Sequence, residues 1–252
     1  MPAANSWTVD QHLARLTSPT LAAEVDLRRP DAGLHSLAFA GTSLDAQARM
    51  LAVGANEAGG WELSGPESYA RGADLVATYP QTAARPYRLQ VYWRVVDLST
   101  IASLRGAACV ELQLSINTSL LDTAPAVETT DDFGPGEIAR ILPSPLAGEG
   151  PGVRGSEFSE GLMENCATIL RPQNATCSYV RLVHPVDCGR TAPDAAASTK
   201  LPLQLTLFGR YLEKGVIMRA RVRGAIVPRK HDETSAAEIF QDFLHSPLPL
   251  TT

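Results

Sequence analysis

The sequence lacks a long apolar run, an excess of basic residues and any closely spaced pair of cysteines. No stretch of the 252 residues approaches a membrane-spanning helix, and the first ten residues lack the basic and apolar segments of a signal peptide. We therefore expect a cytoplasmic protein without membrane contact. The formal charge of -5 argues against a nucleic-acid partner, because nucleic-acid-binding domains are usually basic.

The cysteines are spaced too widely for a typical structural zinc site. Cys109, Cys166, Cys177 and Cys188 contain no C-x-x-C pair. In a reducing compartment they are expected to be small apolar residues. An alternative is a metal site built from Cys177, His184 and Cys188, with Cys166 as a fourth ligand. We favour the apolar role and expect no metal.

Recognisable catalytic motifs are also missing, including a serine nucleophile elbow, a zinc-protease motif and a phosphate-binding loop. Gly150, Gly152 and Gly155 fit the spacing of a dinucleotide-binding turn. However, no strand pattern precedes them and no helix pattern follows, and Pro151 removes an amide that would face a phosphate. We therefore expect no cofactor.

What the sequence does contain is about eight to ten short segments in which apolar and polar residues alternate. Ala108 to Asn117 is the clearest case, with Val110 and Leu112 on one face and Glu111 and Gln113 on the other. The 19 glycines and 18 prolines favour turns over long helices. These patterns predict a single all-β domain over residues 1–252, a large antiparallel two-layer sandwich.

One short C-terminal helix is expected in addition. Ser235 and Glu238 fit a capping box at its start, and Pro247 ends it. The apolar stripe of this helix is formed by Ile239, Phe240, Phe243 and Leu244. We expect the helix to cover an edge or an end of a sheet.

Residues 125–165 are predicted to contain a flexible loop rich in proline and glycine. The segment 141–155 has three prolines that break strands and four glycines, so it cannot bury enough apolar surface to offset its ordering entropy. It resembles the translated product of a dispersed repeat found in some bacterial genomes. That resemblance implies a bacterial protein carrying an insertion without a role in the fold.

Three arginines, Arg219, Arg221 and Arg223, occupy every second position of an apolar strand. This spacing predicts that all three side chains lie on one face of a sheet. The run 203–212 reads as the preceding strand, joined by a turn at 213–215. A hairpin with a two-residue loop would add Arg210 to the same face.

Two interpretations of this arginine-rich face follow. In the first, carboxylates such as Glu111 or Glu24 on neighbouring strands neutralise the arginines. In the second, the arginines line a cleft for an anionic or polyhydroxylated ligand, since guanidinium groups suit carboxylate, sulfate and phosphate. Aromatic residues support the second interpretation, because Tyr92 shares a face with Arg94, and Tyr179 is similarly placed beside Arg181.

The N-terminal run 16–27, followed by Gly33 to Phe39 and by Leu51, resembles the opening of the galactose mutarotase-like supersandwich. The resemblance implies a large two-layer antiparallel β fold, in a superfamily where many members bind or process carbohydrates on a broad sheet face. Aldose epimerases of this group carry an Asn-His motif, a second histidine and a late catalytic glutamate. None of the five histidines here follows an asparagine, so no catalytic residue is carried over.

We therefore expect non-catalytic binding of a carbohydrate or anionic sugar-like small molecule. The expected ligand-binding residues are Tyr92, Arg94, Arg210, Arg219, Arg221 and Arg223. A first alternative is a carbohydrate-active isomerase, epimerase or lyase that uses His184 with a carboxylate such as Asp187. A second is a structural or interaction protein whose arginine face binds an acidic partner. The sequence leaves the oligomeric state open.

Overall fold

A computed structural model describes residues 6–55, 61, 65–140, 166–188 and 202–247. Apart from two short 3-10 turns and two α-helices, its secondary structure consists of β-strands, each paired antiparallel with its neighbours. The all-β prediction is therefore confirmed. The first strands are β1 (Ser6–Asp10), β2 (Leu13–Thr17), β3 (Leu21–Asp26), β4 (His35–Phe39), β5 (Thr42–Ser43), β6 (Arg49–Ala55), β7 (Glu67–Arg71) and β8 (Asp74–Tyr79).

The remaining elements include the long central strands and both helices. They are β9 (Arg88–Val96), β10 (Ala108–Asn117), β11 (Ala126–Asp132), β12 (Gly136–Arg140), β13 (Ala167–Pro172), β14 (Cys177–Val183), α1 (Pro185–Cys188), β15 (Leu203–Phe208), β16 (Ile217–Pro228) and α2 (Asp232–His245). No helix in the described ranges is both long and apolar enough to span a membrane.

The strands form two layers. One layer is an eight-stranded sheet in the order β12-β13-β14-β16-β10-β9-β8-β7. The other layer consists of a five-stranded sheet, β1-β2-β3-β4-β5, and a three-stranded sheet, β15-β11-β6. An isolated antiparallel bridge between Leu34 and Met50 connects these two sheets. One apolar core lies between the layers and includes Trp93, Leu112 and Val222. This is the two-layer sandwich that the alternating patterns predict.

A buried cluster of polar side chains lies in this core and connects the two layers. Asp131 on β11 accepts hydrogen bonds from the Tyr179 hydroxyl at 2.6 Å and from the Leu51 amide at 2.7 Å. Its other carboxylate oxygen lies 3.7 Å from Nη1 of Arg181. Tyr179 and Arg181 are therefore buried between the layers, and they do not support the cleft interpretation of the arginine face.

The predicted hairpin between residues 203–212 and β16 is also wrong. β15 ends at Phe208 and pairs with β11 in the three-stranded sheet, whereas β16 pairs with β10 and β14 in the eight-stranded sheet. Phe208 and Gly209 both have positive φ angles, 72° and 63°, which turn the chain out of the strand. The segment that follows β15 thus crosses from one layer to the other.

The C-terminal helix exists, but its start and its position differ from the prediction. It begins at Asp232, so Ser235 lies inside the first turn and is not a cap. Arg171 on β13 holds this start, because its Nε donates to Asp232 at 2.8 Å and its Nη2 to Glu233 at 2.7 Å. The helix lies on the outer face of the eight-stranded sheet, against β13, β14 and β16, and not along an edge.

The range 125–165, expected to contain a flexible loop, begins with two strands, β11 and β12. Residues 141–165 lie outside the described residues, as does the glycine pattern at 150–155.

Candidate functional site

The three alternating arginines of β16 share the outer face of the eight-stranded sheet. On the neighbouring strand β10, Arg219 is opposite Ser115, Arg221 is opposite Gln113, and Arg223 is opposite Glu111. Arg219 is half-buried, whereas Arg221 and Arg223 are buried with exposed fractions of 3% and 2%. The arginines of β16 are therefore more deeply buried at positions 221 and 223 than at position 219.

Glu111 neutralises the two buried arginines. Its Oε1 accepts from Nε of Arg221 at 3.0 Å, and its Oε2 accepts from Nη2 of Arg221 at 3.1 Å and from Nε of Arg223 at 2.8 Å. Ionic groups are tolerated away from water only when they are paired and hydrogen-bonded in this way. The first interpretation of the arginine face, with Glu111 as counter-charge, describes Arg221 and Arg223.

Helix α2 covers this network on the outer face of the eight-stranded sheet. Asp242 accepts from Nη1 of Arg223 at 2.6 Å, and the Ser246 carbonyl after the helix accepts from Nη1 of Arg221 at 3.2 Å. The ring of Phe243 lies under both guanidinium groups, with its centroid 4.8 Å from Cζ of Arg221 and 4.6 Å from Cζ of Arg223. Arg223 is thereby separated from solvent by the helix.

A cavity of about 810 Å³ opens where α2 ends. Its walls come from α1, from β16 and from the loop that follows β15. The lining residues are His184, Val186, Asp187, Arg210, Ile217, Met218, Arg219, Arg221 and Ser246. Arg210 thus reaches the same cavity as Arg219 and Arg221, although it comes from the other layer and not from a hairpin.

Helix α1 forms one wall of the cavity and continues the pairing of β16. Strand β14 separates from β16 after the pair Val183–Val222. Beyond that point the His184 amide donates to the Arg221 carbonyl at 3.3 Å, and the Asp187 carboxylate accepts from the Arg221 amide at 2.9 Å. A side chain therefore satisfies a backbone group that would otherwise need a strand partner.

His184 is half-buried at this cavity. Its ring packs edge-on against Phe243, with centroids 5.4 Å apart. Burial, together with the positive charge of Arg221, lowers the pKa of His184 from its usual value. The imidazole is therefore neutral at pH 7 and retains a nitrogen lone pair.

Tyr92 and Arg94, the other two predicted site residues, lie on the same sheet face but do not line the cavity. Arg94 donates from Nε and Nη2 to the two carboxylate oxygens of Asp74, at 2.5 and 2.9 Å. The Tyr92 hydroxyl donates to Gln90 at 2.9 Å. Tyr92 is separated from Arg221 by the intervening Gln113 of β10.

The described residues contain no group of three or more histidine, cysteine, aspartate or glutamate side chains able to hold a metal ion. The alternative metal site fails for a geometric reason. Cys177 begins β14 and His184 follows its end, which separates them by about 20 Å along an extended strand.

Sequence reasoning missed Val186, Ile217, Met218 and Ser246 as lining residues. Ser246 follows a helix whose position on the sheet no local pattern specifies. The proximity of Asp187 to His184 in the sequence was a signal for this wall of the cavity, but the Asp187 carboxylate accepts a hydrogen bond from the Arg221 backbone amide.

No protein-family model matches the sequence, and no curated protein matches it significantly. The similarity is structural. A candidate aldose 1-epimerase of Escherichia coli K12 superposes with a TM-score of 0.48 and 9% identity, over 85% of this chain and 98% of that one. A candidate kojibiose phosphorylase from the human microbiome superposes with a TM-score of 0.50 and 6% identity, over 98% of this chain.

At these identities the likeness concerns the fold alone. The superposition with the phosphorylase extends over nearly the whole chain, and together with the sheet topology it confirms the large two-layer antiparallel β fold that the N-terminal resemblance implied. The chain spans only 37% of the length of the phosphorylase.

Proposed function

We propose that the protein binds a carbohydrate or related anionic small molecule, without converting it, in the cavity beside Arg219. The observation that carries this proposal is the convergence of Arg210, Arg219 and Arg221 from two different layers on one cavity of about 810 Å³. That volume lies within the usual range for small-molecule sites.

The charges of the lining support an anionic group on the ligand. Three arginines and one carboxylate, Asp187, line the cavity. Arg221 is held by Glu111 and presents its remaining surface to the cavity, while the exposed Arg210 and the half-buried Arg219 add two further guanidinium groups. Planar guanidinium donors bind carboxylate, sulfate or phosphate in two-point contacts.

The apolar part of the lining supports a sugar body. Val186, Ile217 and Met218 offer apolar surface for the C–H face of a pyranose ring. The carbohydrate-related names of the two structural neighbours agree with this choice. A uronic acid, a sugar phosphate or a sulfated sugar combines both features.

The remaining predicted residues would act farther from the ligand. Tyr92 and Arg94 would extend the contact along the sheet for a ligand longer than one sugar unit. Arg223 would act indirectly, since with Glu111 it fixes the position of Arg221. The cytoplasm remains our expected location, and buried thiols such as Cys109 and Cys177 are compatible with it.

The test is thermal unfolding of the protein with neutral sugars, uronic acids, sugar phosphates and sulfated sugars, at low and high salt. A ligand at a hundred times its dissociation constant stabilises the fold by about 2.7 kcal/mol. We expect a salt-sensitive shift with the acidic sugars, lost in Arg219→Ala and kept in Arg71→Ala, an exposed arginine of β7. An equal shift in both variants, or no shift with any sugar, would contradict the proposal.

A second candidate is an isomerase, epimerase or lyase of carbohydrates. The observation in its favour is the neutral His184 in the wall of the cavity, which could accept a proton at pH 7. Turnover of any sugar from the same panel, followed by NMR, would support it if His184→Ala abolished turnover while the protein stayed folded.

A further inference from the structure

Two of the four cysteines meet beside the cavity. Cys166 precedes β13, and its carbonyl accepts from the Val183 amide at 2.8 Å. Cys188 ends α1, and its amide donates to the His184 carbonyl at 2.9 Å. Because Val183 and His184 are adjacent, both cysteines are anchored to the same point of the chain, and their side chains are hydrogen-bonded to each other.

We propose that Cys166 and Cys188 form a reversible disulfide when the protein meets a peroxide. The bond would link β13 to α1 and so fix one wall of the cavity. The proposal concerns the thiols alone and stands whether or not the cavity binds a sugar. A sulfur–sulfur bond of about 2.05 Å requires only a short approach of two side chains that are already in hydrogen-bonding contact.

The reaction balances with hydrogen peroxide as the oxidant. The Cys188 thiolate attacks one peroxide oxygen, the O–O bond breaks, and hydroxide leaves and takes up the thiol proton as water. The product is a sulfenic acid on Cys188. The Cys166 sulfur then attacks that sulfur, the S–O bond breaks, and a second water leaves with the Cys166 proton. Two thiols have lost two electrons, and the peroxide has gained them.

The order of attack follows from access and from the hydrogen bond. Cys188 is 9% exposed and Cys166 is fully buried, so peroxide reaches Cys188 first. The hydrogen bond from Cys166 lowers the pKa of Cys188, and the same contact raises the pKa of Cys166. Among charged neighbours, Arg181 of β14 favours the Cys188 thiolate and Asp187 of α1 opposes it.

The other two cysteines provide internal controls. Cys177 begins β14 and is therefore about 20 Å from the end of that strand, where Cys188 lies. Burial raises the pKa of the Cys109 thiol to about 12 and also raises that of Cys177. Both thiols are thus protonated at neutral pH and unreactive towards peroxide.

The experiment treats the folded protein with hydrogen peroxide, blocks the remaining thiols after denaturation, and maps the peptides by mass spectrometry. We expect the number of free thiols to fall from four to two, with one linked peptide that joins Cys166 to Cys188. Dithiothreitol should restore all four thiols. Cys109→Ala should still form the link, whereas Cys188→Ala should lose it and Cys166→Ala should retain a trappable sulfenic acid on Cys188.

Retention of four thiols at peroxide concentrations that oxidise a free cysteine peptide would overturn the proposal. So would a link that involves Cys177 or Cys109. Circular dichroism before and after treatment checks that the link forms in the folded protein. A link that appears only after unfolding would also count against it.

Discussion

The carboxylate of Asp187 accepts a hydrogen bond from the backbone amide of Arg221 at 2.9 Å, and so takes the place of a neighbouring strand. This contact connects the short helix α1 to the strand that carries the arginines. It also places Val186 and Asp187 in the wall of the cavity. The geometry of the candidate site thus depends on one side chain that completes a β ladder.

Asp187→Ala should destabilise the protein by about 1–3 kcal/mol, because the buried Arg221 amide then has no acceptor. Asp187→Asn should cost less, since its amide oxygen can still accept the bond. Urea unfolding of the two variants measures the difference. Equal losses in both would show that the charge of Asp187, and not the hydrogen bond, is what matters.

Glu111→Gln should be more severe, with a loss of about 3–5 kcal/mol, because two buried arginines lose their shared counter-charge. The matched control is Glu24→Gln, which removes the exposed pair with Arg15 and should cost under about 1 kcal/mol. Both are measured by chemical unfolding. Similar small losses would mean that Asp242 and Phe243 suffice to hold the arginines.

Gly224→Ala should destabilise the contact between the two layers. An added Cβ would lie 2.7 Å from the Tyr179 hydroxyl, which donates to the buried Asp131. Overpacking of this kind costs about 1–3 kcal/mol. Gly106→Ala is the control, since its Cβ would meet only Pro228 at an ordinary 3.7 Å. A thermal midpoint for Gly224→Ala equal to that of Gly106→Ala would contradict this packing.

The free energy of unfolding should fall with decreasing pH over a range that the pKa of His184 sets. Burial and Arg221 lower its pKa in the folded protein, with a smaller effect from Arg223 and an opposing one from Glu111. The unfolded chain therefore binds the proton first, at about pH 6.5, and stability is lost from there down through the folded pKa.

Replacement of His184 by glutamine tests this assignment. The difference in unfolding free energy between the wild-type protein and His184→Gln should be constant above pH 7.5 or so and should change as the pH falls through about 6.5. A difference that stays constant between pH 8 and 5 would remove His184 as the cause.

Local patterns predicted the elements that depend on local chemistry. Ala108–Asn117 is a strand with the bounds that its alternation gives, and the apolar stripe of Ile239, Phe240 and Phe243 is buried in a helix. The arginines at 219, 221 and 223 share a face because successive side chains of any strand point to opposite sides. Their sharing of Glu111 was one of the interpretations that the composition of β10 allowed.

Local patterns could not predict contacts between segments that are distant in the sequence. The hairpin prediction for β15 and β16 failed because two residues with positive φ, Phe208 and Gly209, direct the chain to the other layer. The capping box at Ser235 failed because Arg171, more than sixty residues earlier, anchors the helix start at Asp232.

The sequence by itself determined that this protein is an antiparallel β sandwich with an arginine-bearing strand, because side-chain alternation and turn residues act over a few neighbouring positions. Only the tertiary structure decided which arginines line the cavity. Helix α2 and Glu111 enclose Arg223, Arg221 keeps part of its surface at the cavity, and the crossing after β15 brings Arg210 to the same cavity beside Arg219. Burial and charge pairing are set by segments that meet only when the chain is folded.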